Sequence, residues 1–226
     1  EPNNSTQALE EVLAAAAVTG APLHVVHLHS TSIRGTSRHL GMIAEAHARG
    51  MDISTECYPY LAGMTDLSSG VFAGPWREDL EIDYKDLQWV ATGERLTAET
   101  YEKYRKQGGL VAIYSIPESA VLDALRHPLV LIGSDGLMDA EGRGHPRNSG
   151  TYARILGKYV REDKVLPLME ALRKCTLGPA KRLERAAPIF KRKGRVQEGC
   201  DADLTVFDPE RVIDRATYEK PTLPSE

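Results

Sequence analysis

Ala21-Pro22-Leu23-His24-Val25-Val26-His27-Leu28 is the stretch on which the fold turns. It is a short β-rich run behind a Gly/Pro boundary, and at this length such a run fits a buried strand better than a helix. On its N-terminal side, Asn4 with Gln7 three residues on forms a capping signal before the apolar stripe Leu9, Val12, Leu13, Ala16 and Ala17, which predicts a helix to about Thr19. On its C-terminal side a helical stretch from about Ser37 to Arg49 is closed by Gly50, and Met51 to Cys57 reads as the next strand. Helix, strand, helix and strand in alternation, with short punctuation, are the signature of βα units around a parallel sheet.

The segment from Tyr58 to Leu96 breaks this rhythm and is too long for an ordinary connection, so it is expected to cover a site or carry function. Regularity returns with a helix at 97–107, a strand at 110–114, a short helix at 118–126 and a strand at 129–132. That gives four expected strands, half of an eight-stranded α/β barrel. From Gly150 the sequence is helical to about Leu183, in pieces broken near Lys164 and Gly178, with short β segments expected at 194–197 and 203–207. The predicted organisation is a half-barrel over residues 1–184 and part of a small β domain over residues 185–226. An open half-barrel exposes two strand edges, so the N-terminal half of a barrel or a second copy of the chain is the expected partner.

Composition narrows the function classes. The 226 residues are 42% hydrophobic and carry 28 basic against 32 acidic side chains, a net charge of −4, so no basic face is available for nucleic acid. No apolar run approaches the ~20 residues of a membrane span. Cys57, Cys175 and Cys200 are too few and scattered for a disulfide framework, which together with the absence of a leader signal reads as cytoplasmic.

Two places carry candidate chemistry. Strand alternation puts His27 and His29 on one face and His24 on the other; an imidazole at the C-terminal end of a barrel strand is an available metal ligand, and also a common hydrogen-bonded packing group. Val130-Leu131-Ile132-Gly133-Ser134-Asp135-Gly136 ends a strand on a carboxylate, which is either a turn former or a metal-binding general base. Downstream, Gly144-His145-Pro146-Arg147 lies on a glycine-rich loop over the same mouth, where a guanidinium can clamp a substrate carboxylate bidentately or remain a surface charge.

The run Ser134-Asp135-Gly136, Gly144-His145-Pro146-Arg147 and Gly150-Thr151-Tyr152-Ala153-Arg154-Ile155-Leu156-Gly157 resembles the D-aminoacylase branch of the amidohydrolase superfamily. Pro179-Ala180, Lys193-Gly194-Arg195-Val196, Asp201-Ala202-Asp203-Leu204-Thr205-Val206-Phe207 and Asp214-Arg215-Ala216-Thr217-Tyr218 extend the likeness, with Tyr58-Pro59-Tyr60 upstream. Thr92 to Thr97 and Tyr104 to Gly109 lean toward members acting on N-acyl-D-glutamate. The resemblance implies zinc, one or two ions, at the mouth of a (β/α)₈ barrel, and hydrolysis of N-acyl-D-amino acids, small-molecule substrates. His27 then matches the family's fifth-strand zinc histidine, Asp135 the aspartate that binds metal and shuttles the proton, and Arg147 the arginine on the substrate carboxylate, with Tyr58 and His145 beside it as substrate-binding candidates. The family's first-strand His-x-His pair and the next metal-bridging ligand, a cysteine in typical members, are expected upstream of Glu1. At the sixth strand Cys57 and Tyr58 stand where a histidine ligand is typical, which leaves the second metal position open, with His29 or a water as substitutes. A cyclic amidase of the dihydroorotase or hydantoinase kind shares these features, and a non-catalytic fragment or subunit is the rival from another class.

Overall fold

The computed structural model describes residues 5–226; the cap expected at Asn4 lies outside them. Helix α1 (Ser5–Thr19) leads into β1 (Leu23–Val25), α2 (Leu28–Ser32), α3 (Thr36–Ala48) and β2 (Ile53–Cys57). An excursion follows: β3 (Gly63–Asp66), α4 (Trp76–Leu80), β4 (Leu87–Trp89), α5 (Ala98–Gln107) and β5 (Leu110–Ile113). The chain then forms α6 (Glu118–Arg126), β6 (Val130–Ile132), α7 (Arg147–Arg154, continuing as a wide π-helix over Ile155–Glu162), α8 (Leu168–Cys175) and α9 (Leu177–Leu183).

β1, β2 and β6 pair in that order as a parallel sheet, with Leu23 opposite Ile53 and Cys57 opposite Ile132. The expected α/β architecture is therefore present with three parallel strands, not four. The strand at 110–113 is the exception: β5 lies antiparallel between β3 and β4 in a separate sheet, with Asp66 opposite Leu110 and Leu87 opposite Ile113. Its sequence, Leu-Val-Ala-Ile, is apolar throughout, a pattern shared by any strand covered on both faces, so the pairing partner and not the strand itself decides which sheet it joins.

Alternation on β2 sets the sheet's two faces. Ile53, Thr55 and Cys57 are buried toward α3 and α6, where Ile43, Val121, Leu125, Val130 and Ile132 complete the core. Each such aliphatic side chain stabilises the fold by ~1.5–3 kcal/mol on burial. Ser54 and Glu56 point the other way and are half-buried; that face borders a cavity of about 660 Å³ lined by His24, Glu56, Leu131 and Arg182. The excursion has its own core of Leu67, Phe72, Trp76, Leu87, Trp89 and Val111. Thr97 caps α5 by accepting the Thr100 backbone N–H at 3.2 Å.

The β segments expected at 194–197 and 203–207 are not formed: both run irregularly, with Val206 97% exposed. A strand needs a neighbour to take its backbone hydrogen bonds, and no described residue supplies one there. Among the described residues no helix is long and apolar enough to cross a membrane.

Candidate functional site

The C-terminal ends of β1, β2 and β6 converge on one rim. His27 follows β1 with φ 33°. This left-handed residue ends the strand and starts α2, so His29 sits on a helix. The shared strand face expected for His27 and His29 is therefore absent, because the left-handed turn interrupts the alternation. The Ser30 and Thr31 hydroxyls lie 3.3 and 3.4 Å from His27 Nδ1, which engages that nitrogen and leaves Nε2 as the one to offer a ligand. His29 is fully enclosed, edge-on to Tyr58 with ring centroids 4.4 Å apart, and neither of its nitrogens has a hydrogen-bond partner. Burial first, then repulsion from His27 and Arg147, pushes its pKa down to about 3, so the imidazole stays neutral.

Asp135 follows β6, also left-handed at φ 48°. With β2 between them, the β1 and β6 backbones are separated by about 10 Å, two inter-strand spacings. Gly133 leaves room beside the site: a Cβ there would lie 2.8 Å from the Glu56 carboxyl, which would have to swing aside. Arg147, the first residue of α7, donates from Nη2 to Asp135 Oδ2 at 2.8 Å. Its guanidinium is 1% exposed against 36% for the Asp135 side chain, and its carbon lies 4.3 Å over the Tyr58 ring. Nε and Nη1 of Arg147 are buried without a hydrogen-bond partner, two nitrogens that carry three N–H donors between them. Tyr58 is buried and forms the floor beneath this guanidinium.

His145 is not open to a substrate as the structure stands. It is fully buried; its Nδ1 accepts the Arg147 backbone N–H at 3.0 Å, and its Nε2 lies 2.9 Å from the Ala62 carbonyl oxygen. One nitrogen accepting and the other donating fixes the neutral tautomer, and burial holds the pKa well below the usual histidine value. Cys57 is likewise off the rim. It lies in the helix-facing core, and burial pushes its thiol up to about 12, too high for a ready metal thiolate.

Glu56 and Tyr218 are the residues that sequence reasoning passed over. Glu56, inward on the central strand, accepts from His24 Nε2 at 3.3 Å, while His24 Nδ1 meets the Ser54 hydroxyl at 2.8 Å. The His24 contact, ahead of the opposing effect of burial, lowers the Glu56 pKa. Alternation from Ser54 could have found it, since the two share a face. Tyr218, 73 residues from His145 in sequence, places its hydroxyl 3.2 Å from His145 Nε2, and no local signal announces that contact.

Zinc takes three or four protein ligands, and among the described residues no three His, Cys, Asp or Glu side chains gather to hold a metal ion. His27 through Nε2, Asp135, and the neutral His29 have the donor chemistry for part of such a set, to be completed from outside these residues.

Comparison with known proteins extends this picture. A family model described as the amidohydrolase family matches residues 1–226. The chain is 30% identical to an N-acyl-D-glutamate deacylase of Alcaligenes xylosoxydans xylosoxydans over 96% of its own length and 45% of the relative's. It is 38% identical to a D-aminoacylase of the same organism over 83% of its length and 39% of the relative's. The crystal structure of the Bordetella bronchiseptica N-acyl-D-glutamate deacylase, complexed with zinc and a phosphonate mimic of the tetrahedral intermediate, superposes with a TM-score of 0.80 at 30% identity, covering 97% of this chain and 47% of that one. The chain thus spans less than half the length of the relatives it matches.

Proposed function

The chain belongs to the amidohydrolase family, and on that premise we propose that it carries the proton-transfer and carboxylate-binding half of a hydrolase acting on the amide bond of N-acyl-D-amino acids, N-acyl-D-glutamate among them. The observation that carries this reading is the Asp135–Arg147 pair, 2.8 Å apart at the rim of the parallel sheet. Zinc, as in the Bordetella relative, is the ion that His27 and Asp135 would hold; when bound it polarises a carbonyl and acidifies water.

The residues of this chain supply the rest. Arg147 takes Asp135 Oδ2, so Oδ1 is the oxygen assigned to proton transfer. Asp135 accepts the proton of the attacking water as the C–O bond forms. It returns that proton to the amide nitrogen as the C–N bond breaks, so one carboxyl group serves both directions. A substrate α-carboxylate brought to the rim would be taken by one unused N–H edge of Arg147, at Nη1 or at Nε, once the guanidinium, 1% exposed in this structure, is uncovered. The edges of the parallel sheet at β1 and β6 are where further strands would pair, from another segment or a second copy.

The test is a comparison of substrates in the complete protein. Arg147→Ala should raise KM for an N-acyl-D-amino acid about 10- to 100-fold more than for the matching uncharged acyl amide, the loss expected for charge-assisted hydrogen bonds. Equal effects on both substrates would exclude the clamp.

A further inference from the structure

Residues 208–226 contain no helix or strand, yet they are fastened along α7. Arg161 Nη1 donates to the carbonyl oxygens of Pro209 and Val212 at 3.2 and 2.6 Å. Arg154 donates from Nη1 to Asp214 Oδ2 at 3.0 Å and from Nε to the Pro59 carbonyl at 2.9 Å. Farther on, the Ser149 hydroxyl donates to the Pro221 carbonyl at 3.0 Å, and the Ser225 hydroxyl to the Ser149 carbonyl at 2.9 Å. Contact is close enough that a Cβ at Gly157 would lie 2.4 Å from the Val212 carbonyl oxygen. This is a built interface, satisfied by backbone carbonyls as well as side chains, and not a loose end.

Tyr218 is where it meets the site. Its ring centroid lies 4.9 Å from that of His145 and 5.2 Å from that of Tyr114, just beyond β5. Its hydroxyl reaches His145 Nε2, the nitrogen that also faces the Ala62 carbonyl. Because Nδ1 must accept from the Arg147 N–H, Nε2 bears the hydrogen and shares it between Ala62 and the Tyr218 oxygen.

We propose that residues 212–226 form a strap whose Tyr218 is a positioning residue: by seating His145 it fixes the first turn of α7, and so holds Arg147 against Asp135. The Tyr60 ring also meets His145 edge-on, with centroids 5.1 Å apart, but Tyr218 is the side chain whose hydroxyl reaches a His145 nitrogen. Ala62 immediately precedes β3, Arg147 opens α7, and His145 joins the two through one ring; Tyr218 adds a side-chain partner at the Nε2 that faces Ala62. Through Tyr114 the same side chain ties the antiparallel sheet to this point, so the strap sets how the excursion meets the rim. The inference rests on Asp135 and Arg147 being the reacting pair only for its functional consequence, not for the structural one.

Amide hydrogen exchange in the complete protein reads the structural consequence without turnover. In Tyr218→Ala the Arg147 amide should lose protection about tenfold, the scale of one hydrogen bond, while amides of α6 keep theirs. Tyr218→Phe, which keeps the ring and loses the hydroxyl, should produce a smaller change at the same amide. An Arg147 amide indifferent to both variants overturns the proposal, and so does an equal rise in α6 in Tyr218→Phe; if Tyr218→Ala does not fold, the Phe variant decides by the same criterion. The functional readout is separate: KM for the acylated amino acid should rise in Tyr218→Phe with kcat retained. Exchange that responds in a protein hydrolysing no acyl amino acid upholds the strap and sinks the assigned reaction.

Discussion

The two ends of the Asp135–Arg147 ion pair sit in different media, and a double-mutant cycle should show it. Arg147 is 1% exposed, Asp135 36%. Removing the carboxylate in Asp135→Ala leaves an enclosed guanidinium whose remaining support is the Tyr58 ring 4.3 Å away. Breaking a buried pair from this side costs about 3 kcal/mol. The ring interaction, worth ~2 kcal/mol when desolvated, is already present in the parent and offsets none of that change. Removing the cation in Arg147→Met is different, because more than a third of the Asp135 side chain already meets water and its charge can rehydrate; solvent screening reduces the cost to about 1 kcal/mol. The double variant loses both charges together and should also cost about 1 kcal/mol, which makes the coupling about 3 kcal/mol. Urea unfolding at neutral pH gives each corner of the cycle, and Asp135→Ala should lower Tm by roughly 6–12 °C for a chain of this size. The reasoning fails if Arg147→Met proves the more damaging single change, or if the two single effects simply add.

Two further outcomes follow from buried polar groups. His29, held down to about 3, and His145, held well below its ordinary value, are neutral in the fold, whereas an unfolded histidine titrates near 6.5. A depressed pKa means full stability above ~6.5 and loss as the pH falls, so between pH 7 and pH 5 His29 should withdraw about 2 kcal/mol, with His145 acting in the same direction; His29→Leu should flatten the acid slope of the urea midpoint, and an unaltered slope would contradict the assignment. Lys174, buried with its ammonium 2.5 Å from the His127 carbonyl oxygen and 2.9 Å from that of Val130, satisfies the turn that opens β6. Lys174→Met keeps the apolar stem and takes the ammonium from both carbonyls, that of His127 retaining the Val130 N–H at 3.2 Å, a loss of about 1–3 kcal/mol by thermal unfolding, and a change below ~0.5 kcal/mol would show that water can replace the ammonium there.

Much of the fold was legible because it rests on local rules. The helix ending at Thr19, the helix predicted from 37 to 49 and found at Thr36–Ala48, and the strands at Ile53–Cys57 and Val130–Ile132 each combine an apolar period with a stop residue in the sequence. The site was legible as residue types and not as geometry. Asp135 and Arg147 are twelve positions apart in sequence, and that spacing does not disclose that one neutralises the other; His29 reads as a strand partner of His27 until a single left-handed residue turns the chain into α2.

By itself, then, the sequence determined the alternating α/β elements, the ionisable groups at the ends of β1 and β6, and the family likeness that the comparisons bear out. Tertiary structure alone decided that β5 leaves the parallel sheet for an antiparallel one, that Cys57 faces the helices, that His145 is consumed by two backbone groups, and that Tyr218 reaches it from the far end of the chain. The physical reason is one of range. Periodicity and capping act over a few residues and are written in order along the chain, whereas strand pairing, desolvation and ion pairing depend on which distant groups share a neighbourhood once water has been excluded.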